Sequence, residues 1–139
     1  MNSPVTVDAS VFVNAFSPTE DGSDESFGFI TWLRNEKIPL IQPTLFIPEV
    51  IASIARKKGD AKLALELAQE LRNFSSLTLI SLDESLADLS GEVAAQNKLR
   101  GSDAVYAAVA LRFGTELITL DKEQLERLPE VLPVRSPSK

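Results

Sequence analysis

Hydrophobic positions along the chain follow two spacings. Short apolar runs bounded by polar residues predict strands at Val5–Val7, at Leu40-Ile41 within the proline-bracketed segment 39–43, at Leu77–Leu82 and at Leu117–Leu120. Between them, apolar residues recur three and four positions apart. Phe29, Ile30 and Leu33 predict a helix over Phe27–Glu36, entered from a polar loop, Ser17–Ser26, whose acids lack the EF-hand spacing. Ile47, Val50, Ile51 and Ile54 form the stripe of a helix over Thr44–Gly59, with proline in its first turn and glycine at its end. Leu63, Leu67, Ala68 and Leu71 predict an amphipathic helix over Asp60–Phe74, joined to its predecessor as a hairpin through Lys57-Lys58-Gly59. Asp83–Leu99 reads as a further helix, broken by Arg100-Gly101-Ser102.

Ser102 is then expected to cap a helix whose residues Ala104–Leu111 are apolar on nearly every face, the pattern of a buried helix. Its single acid, Asp103, falls in the first turn. A short helix, Lys122–Leu128, and an edge strand within Glu130–Val134 complete the set. Strands alternating with helices predict an α/β fold around a mostly parallel sheet of four to five strands. The chain reads as one domain, residues 1–135, followed by a polar tail, 136–139.

Composition narrows the chemistry. Cysteine and histidine are both absent, which excludes disulfides, thiolate nucleophiles, Ser-His-Asp catalysis and most zinc sites. Acid–base or metal chemistry would have to run on carboxylates, which select hard cations such as Mg²⁺ or Mn²⁺. A formal charge of −6 argues against a protein held on nucleic acid by overall attraction. It leaves room for a nuclease, because a metal in an acidic site reverses the local sign. The N-terminus lacks a signal-like pattern, and the longest apolar run, Ala104–Leu111, is too short to span a bilayer, so a soluble, cytoplasmic protein is expected.

Three predicted strands end in aspartate: Asp8, Asp83 and Asp121. Ligands of open α/β sheets bind beyond the carboxyl ends of the strands, which nominates all three. Each is equally suited to capping the next helix, and Asp121 with Gln124 has the spacing of a capping box. Glu49, off the apolar stripe of its helix, reads on spacing alone as a first-turn acid that complements the helix dipole.

Four segments taken together resemble the PIN domain, most closely the toxin ribonucleases of VapBC-type toxin–antitoxin pairs. They are Val7-Asp8-Ala9-Ser10, Pro48-Glu49-Val50, Ser102 to Ala108 (SDAVYAA) and Leu117-Ile118-Thr119-Leu120-Asp121. The resemblance implies a three-layer α/β/α fold. It assigns Asp8, Glu49, Asp103 and Asp121 to one metal-binding catalytic site and leaves Asp83 as a cap. Ser10 and Thr119 match positions where the family often has small hydroxyl residues near the metal. The activity implied is Mg²⁺- or Mn²⁺-dependent hydrolysis of RNA, leaving a 5′-phosphate and a 3′-hydroxyl. The implied partners are an antitoxin protein and a second copy of the chain. Arg56, Lys57 and Lys58 are the leading candidates for contact with RNA phosphates, ahead of Lys98 and Arg100. The alternative is a catalytically silent PIN domain that binds RNA or protein. A D-x-D phosphatase would need an acid where Ser10 stands, and no P-loop or Gly-rich dinucleotide motif is present.

Overall fold

The computed structural model describes residues 3–138. Five parallel strands form one sheet in the order β3-β2-β1-β4-β5, comprising β1 (Val5–Val7), β2 (Leu40–Pro43), β3 (Leu77–Ile80), β4 (Glu116–Ile118) and β5 (Val134–Arg135). Parallel strands need crossover connections, and these are helical: α1 (Ala9–Ala15), α2 (Ser23–Asn35), α3 (Phe46–Lys58), α4 (Ala61–Arg72), α5 (Glu84–Asn97), α6 (Gly101–Phe113) and α7 (Lys122–Arg127). The result is the expected three-layer α/β/α arrangement.

The chain winds outward from β1 to β2 and β3, then returns to add β4 and β5 on the other side. The reversal falls between β1 and β4. In open sheets a crevice forms beyond the carboxyl ends of the strands at such a point. Asp8 follows β1 and Asp121 lies shortly after β4, so topology alone sets both beside it.

Helix α6 is the centre of the core. Ala104 through Ala110 are all buried, and the helix packs across β1, β2 and β4 with α5 alongside. Small Ala side chains let it lie close to the sheet, and this is the helix read as apolar all round. On the β2 side of β1, side chains take over from the backbone ladder. Val7 N–H donates to Gln42 Oε1 at 2.6 Å, while Gln42 Nε2 donates to Val7 O at 2.7 Å. A fully buried glutamine thus satisfies both polar groups of Val7, which could not be left unpaired inside the fold.

Several sequence expectations shift. Helix α2 begins at Ser23 rather than Phe27, and its apolar spacing starts only after an acidic first turn, Asp24 and Glu25. Ser102 is not the cap of α6. The cap position falls to Arg100, which makes no side-chain capping bond. In α4, Ala68 and Leu71 are buried and Leu67 packs against the core as expected, but Ala64 rather than the exposed Leu63 completes the buried face. The fifth strand lies at Val134–Arg135, just beyond most of the predicted 130–134 segment. The α3–α4 hairpin forms as expected, with Gly59 in the left-handed region (φ +63°) between α3 and the Asp60 cap of α4.

Candidate active site

Asp8, Asp83 and Asp121 are all helix N-caps, accepting from the backbone N–H of Ser10, Leu86 and Gln124 respectively. Capping therefore does not separate site from scaffold; surroundings do. Asp83 follows β3, at the edge of the sheet, and is exposed. Asp8 follows the central strand, is 6% exposed and opens into a cavity of about 540 Å³. Glu49, Asp103, Ser10, Arg56 and Lys57 line the same cavity.

Each acid is fixed by a different element. Asp8 Oδ2 accepts from Ser10 N–H and from the Thr119 hydroxyl, both at 3.3 Å. Thr119 Oγ1 in turn accepts from Asp121 N–H at 3.0 Å, and Ser10 Oγ accepts from Leu120 N–H at 3.3 Å. The two hydroxyl residues thereby tie the turn after β4 to the turn after β1. Glu49 stands in the first turn of α3, and the fully buried Tyr106 of α6 donates its hydroxyl to Glu49 Oε1 at 2.7 Å. Asp103 stands in the first turn of α6 and is buried. Asp121 is not on the cavity wall. It sits behind Arg100, whose Nε donates to Asp103 Oδ2 at 3.2 Å and whose Nη2 lies 3.7 Å from Asp121 Oδ2.

The carboxylates disturb one another. Burial raises Asp8 above the usual aspartate range, hydrogen bonds from Ser10 oppose this, and the charge of Glu49 adds to it. Burial also raises Asp103, with Asp8 pushing the same way and Arg100 pulling against it. Burial pushes the Tyr106 hydroxyl strongly up, reinforced by Glu49 and Asp8, so it stays protonated and serves as a donor. A cluster in which acids raise one another carries surplus negative charge that a cation would relieve.

The donor set suits a hard divalent ion, being carboxylate and hydroxyl oxygen throughout. As placed, however, no three carboxylates among the described residues come close enough to hold a metal ion together. The guanidinium of Arg100 holds Asp103 and Asp121 instead. The residues fit the ion in chemistry and in charge, with Arg100 acting as counter-ion to two of the four.

Of the basic candidates, Arg56, Lys57 and Arg100 line the cavity, while Lys58 and Lys98 do not. Lys57 is paired with Glu20 at 2.7 Å, and Asn14 holds Glu20 and the Asp21 carbonyl, tying the α1–α2 connection to the end of α3. Sequence reasoning missed Tyr106 as the partner of Glu49 and Arg100 as the partner of Asp103 and Asp121. A signal was available for both. Tyr106 is the chain's only tyrosine, set in an apolar helix where its hydroxyl needs a partner. Arg100 stands three residues before Asp103, a spacing that brings side chains together at a helix start.

A family model described as the PIN domain matches residues 5–131. Among solved structures, the chain is similar to VapBC2 from Rickettsia felis bound to a DNA fragment from their promoter, with a TM-score of 0.70 and 14% identity, covering 96% of this chain and 98% of that one. It is similar to VapC20 of Mycobacterium tuberculosis, described as a Sarcin-Ricin loop cleaving toxin, with a TM-score of 0.70 and 17% identity over 93% and 99% of the two chains. It is also similar to PAE2754 from Pyrobaculum aerophilum, with a TM-score of 0.64 and 26% identity over 91% and 87%. No curated protein sequence matches it.

Proposed function

The chain belongs to the PIN domain family, and from that premise we propose that it is a divalent-metal-dependent endoribonuclease, the toxin of a toxin–antitoxin pair acting in the cytoplasm. The observation that carries this reading is the meeting of Asp8, Glu49 and Asp103, from three separate elements, on the wall of one cavity at the switch point of the sheet. Toxin–antitoxin assemblies from Rickettsia felis and nontypeable Haemophilus influenzae are among the similar structures, which supports an antitoxin partner, with a homodimer as the further expectation. The ribonuclease reading draws on the toxin from Mycobacterium tuberculosis. Among the described residues, no helix is long and apolar enough to cross a membrane.

In this mechanism Asp8, Asp103 and Asp121 would hold Mg²⁺ or Mn²⁺ once Arg100 gave up the two acids it bridges. When bound, such an ion supplies Lewis acidity toward the phosphate and lowers the pKa of water. The remaining work falls to the chain itself. Thr119 and Ser10 keep the Asp8 and Asp121 turns in fixed relation. Glu49, oriented by Tyr106, would complete the ligand set or accept a hydrogen bond from the attacking water. Arg56 on the rim, and Lys57 where a phosphate displaces Glu20 from it, would meet the flanking phosphates of the RNA, which offsets the acidity of the whole chain where it matters.

A second reading, a PIN domain that binds RNA or protein without cutting it, draws on the Arg100 bridge, which neutralises two of the four acids. Incubating the purified chain with a structured RNA and Mn²⁺ separates the two. Under the ribonuclease reading, 5′-phosphorylated fragments form, excess EDTA stops their formation, and Asp103→Asn loses at least about a hundredfold in rate while remaining folded. Cleavage that continues in EDTA would sink the metal mechanism.

A further inference from the structure

We propose that Arg100 is a built-in counter-ion of the acidic site, occupying Asp103 and Asp121 until a divalent cation exchanges with it. This inference rests on the metal-dependent reading of the cavity and adds how loading of that site is controlled.

Three observations carry it. First, one guanidinium bridges two acids that belong to different helices, reaching Asp103 through Nε and Asp121 through Nη2. A planar cation with a fork of donors does this, where a lysine would reach one acid at a time. Secondly, the side chain of Arg100 is 75% exposed while that of Asp103 is 10% exposed. The acids are fixed by the fold, and the cation reaches in from solvent. An exposed pair is worth little in water, so the guanidinium leaves at small cost. Thirdly, Arg100 breaks the local rule for its position. It stands at the N-cap of α6 without a capping bond, and a positive charge there is opposed by the helix dipole. Helix formation gives no reason for an arginine at this point, whereas the two carboxylates in front of it do.

The bridge also accounts for the spacing of the acids. With Arg100 between Asp103 and Asp121, no three carboxylates among the described residues close around a common point. A divalent ion carries twice the charge in a smaller radius, and all its ligands are oxygen, so it competes for the same atoms and draws them together. The bare acids would repel one another in its absence, and Arg100 provides the alternative neutralisation. Regulation follows: the site loads over a higher range of free metal than the same acids would without the arginine.

The test is Mn²⁺ binding to the intact chain, measured by calorimetry or by electron paramagnetic resonance, with no RNA present. Arg100→Gln is expected to tighten Mn²⁺ binding by about 3–10-fold, the worth of the exposed pairs it removes. Arg112→Gln, which deletes an equal charge from the last turn of the same helix, is expected to change it by less than about 2-fold. Equal affinities in wild type and Arg100→Gln, with binding abolished by Asp8→Asn, would overturn the proposal and leave the metal site standing. Equal tightening by Arg112→Gln would also overturn it, since net charge would then be the cause. Absence of Mn²⁺ binding in all variants would overturn both the proposal and the reading on which it rests.

Discussion

Tyr106 holds the least obvious position in the site. Its ring fills the core beneath the cavity and its hydroxyl, kept protonated by burial, fixes Glu49 at 2.7 Å. Tyr106→Phe keeps the ring and deletes the hydrogen bond. Partners that orient metal-site ligands typically matter by about 10–100-fold, so if Glu49 acts as proposed, cleavage is expected to fall by that factor. Stability should fall by only about 0.5–1.5 kcal/mol, because one buried hydrogen bond is lost and the packing is kept. Rate and thermal melting, measured on the same preparation, check both halves. A loss of rate matched by wholesale unfolding would place Tyr106 in the scaffold alone. Glu49 itself shows where residue-level reading stops. Its first-turn position is equally good for a dipole acid and a site acid; the family resemblance assigns it to the site, and the tyrosine delivered by α6, more than fifty residues later, is the contact that spacing could not show.

At the scale of elements, the helix starts carry both structure and chemistry. Asp83 and Asp121 make the same bond, to the backbone N–H three residues on, at 2.8 and 3.0 Å. They differ in what lies opposite. Asp83→Ala is expected to cost about 0.5–2 kcal/mol of stability and leave cleavage unchanged. Asp121→Asn keeps a capping oxygen, so it should leave stability nearly unchanged and lose cleavage. Denaturant melts beside a cleavage assay distinguish these opposite outcomes. This pair also explains what the sequence could disclose. Strand–helix alternation and the apolar α6 were legible because burial imposes periodicity on many residues at once. The start of α2 and one position on the face of α4 were not, since an acidic first turn hides the former. In α4, Leu63 at the surface and Ala64 within reverse the usual link between size and burial.

For the whole molecule, the site is a local cost carried by the rest of the fold. Asp8 and Asp103 are both held above the usual aspartate range, chiefly by burial. Through the window between the unfolded and folded values the native chain binds more protons than the unfolded one, so stability declines as pH rises. Glu20, lowered by Lys57, contributes the opposite slope, lost as pH falls, but that pair is exposed and screened. The metal-free chain in EDTA should therefore lose thermal stability as pH climbs above the ordinary aspartate value of about 4, and the Asp8→Asn, Asp103→Asn double variant should flatten that fall. Melting temperatures across the range, repeated with Mn²⁺, measure it; added metal should restore the loss at the neutral end. A wild-type curve that rises with pH in EDTA would contradict the assignment of these two acids as strained.

The order of the strands has one more consequence, remote from any chemistry. β3 lies at one border of the sheet with Leu77, Leu79 and Ile80 only half covered and Leu82 exposed just beyond. A border strand of this composition, paired with β2 on one side only, is a template on which a neighbouring polypeptide can register, and nothing in Leu77–Ile80 carries a charge to deter it. Crowding, prolonged storage or ribosomal overproduction would therefore drive self-association from this flank first. Thr78, facing solvent there, is where a lysine gatekeeper would keep the preparation dispersed.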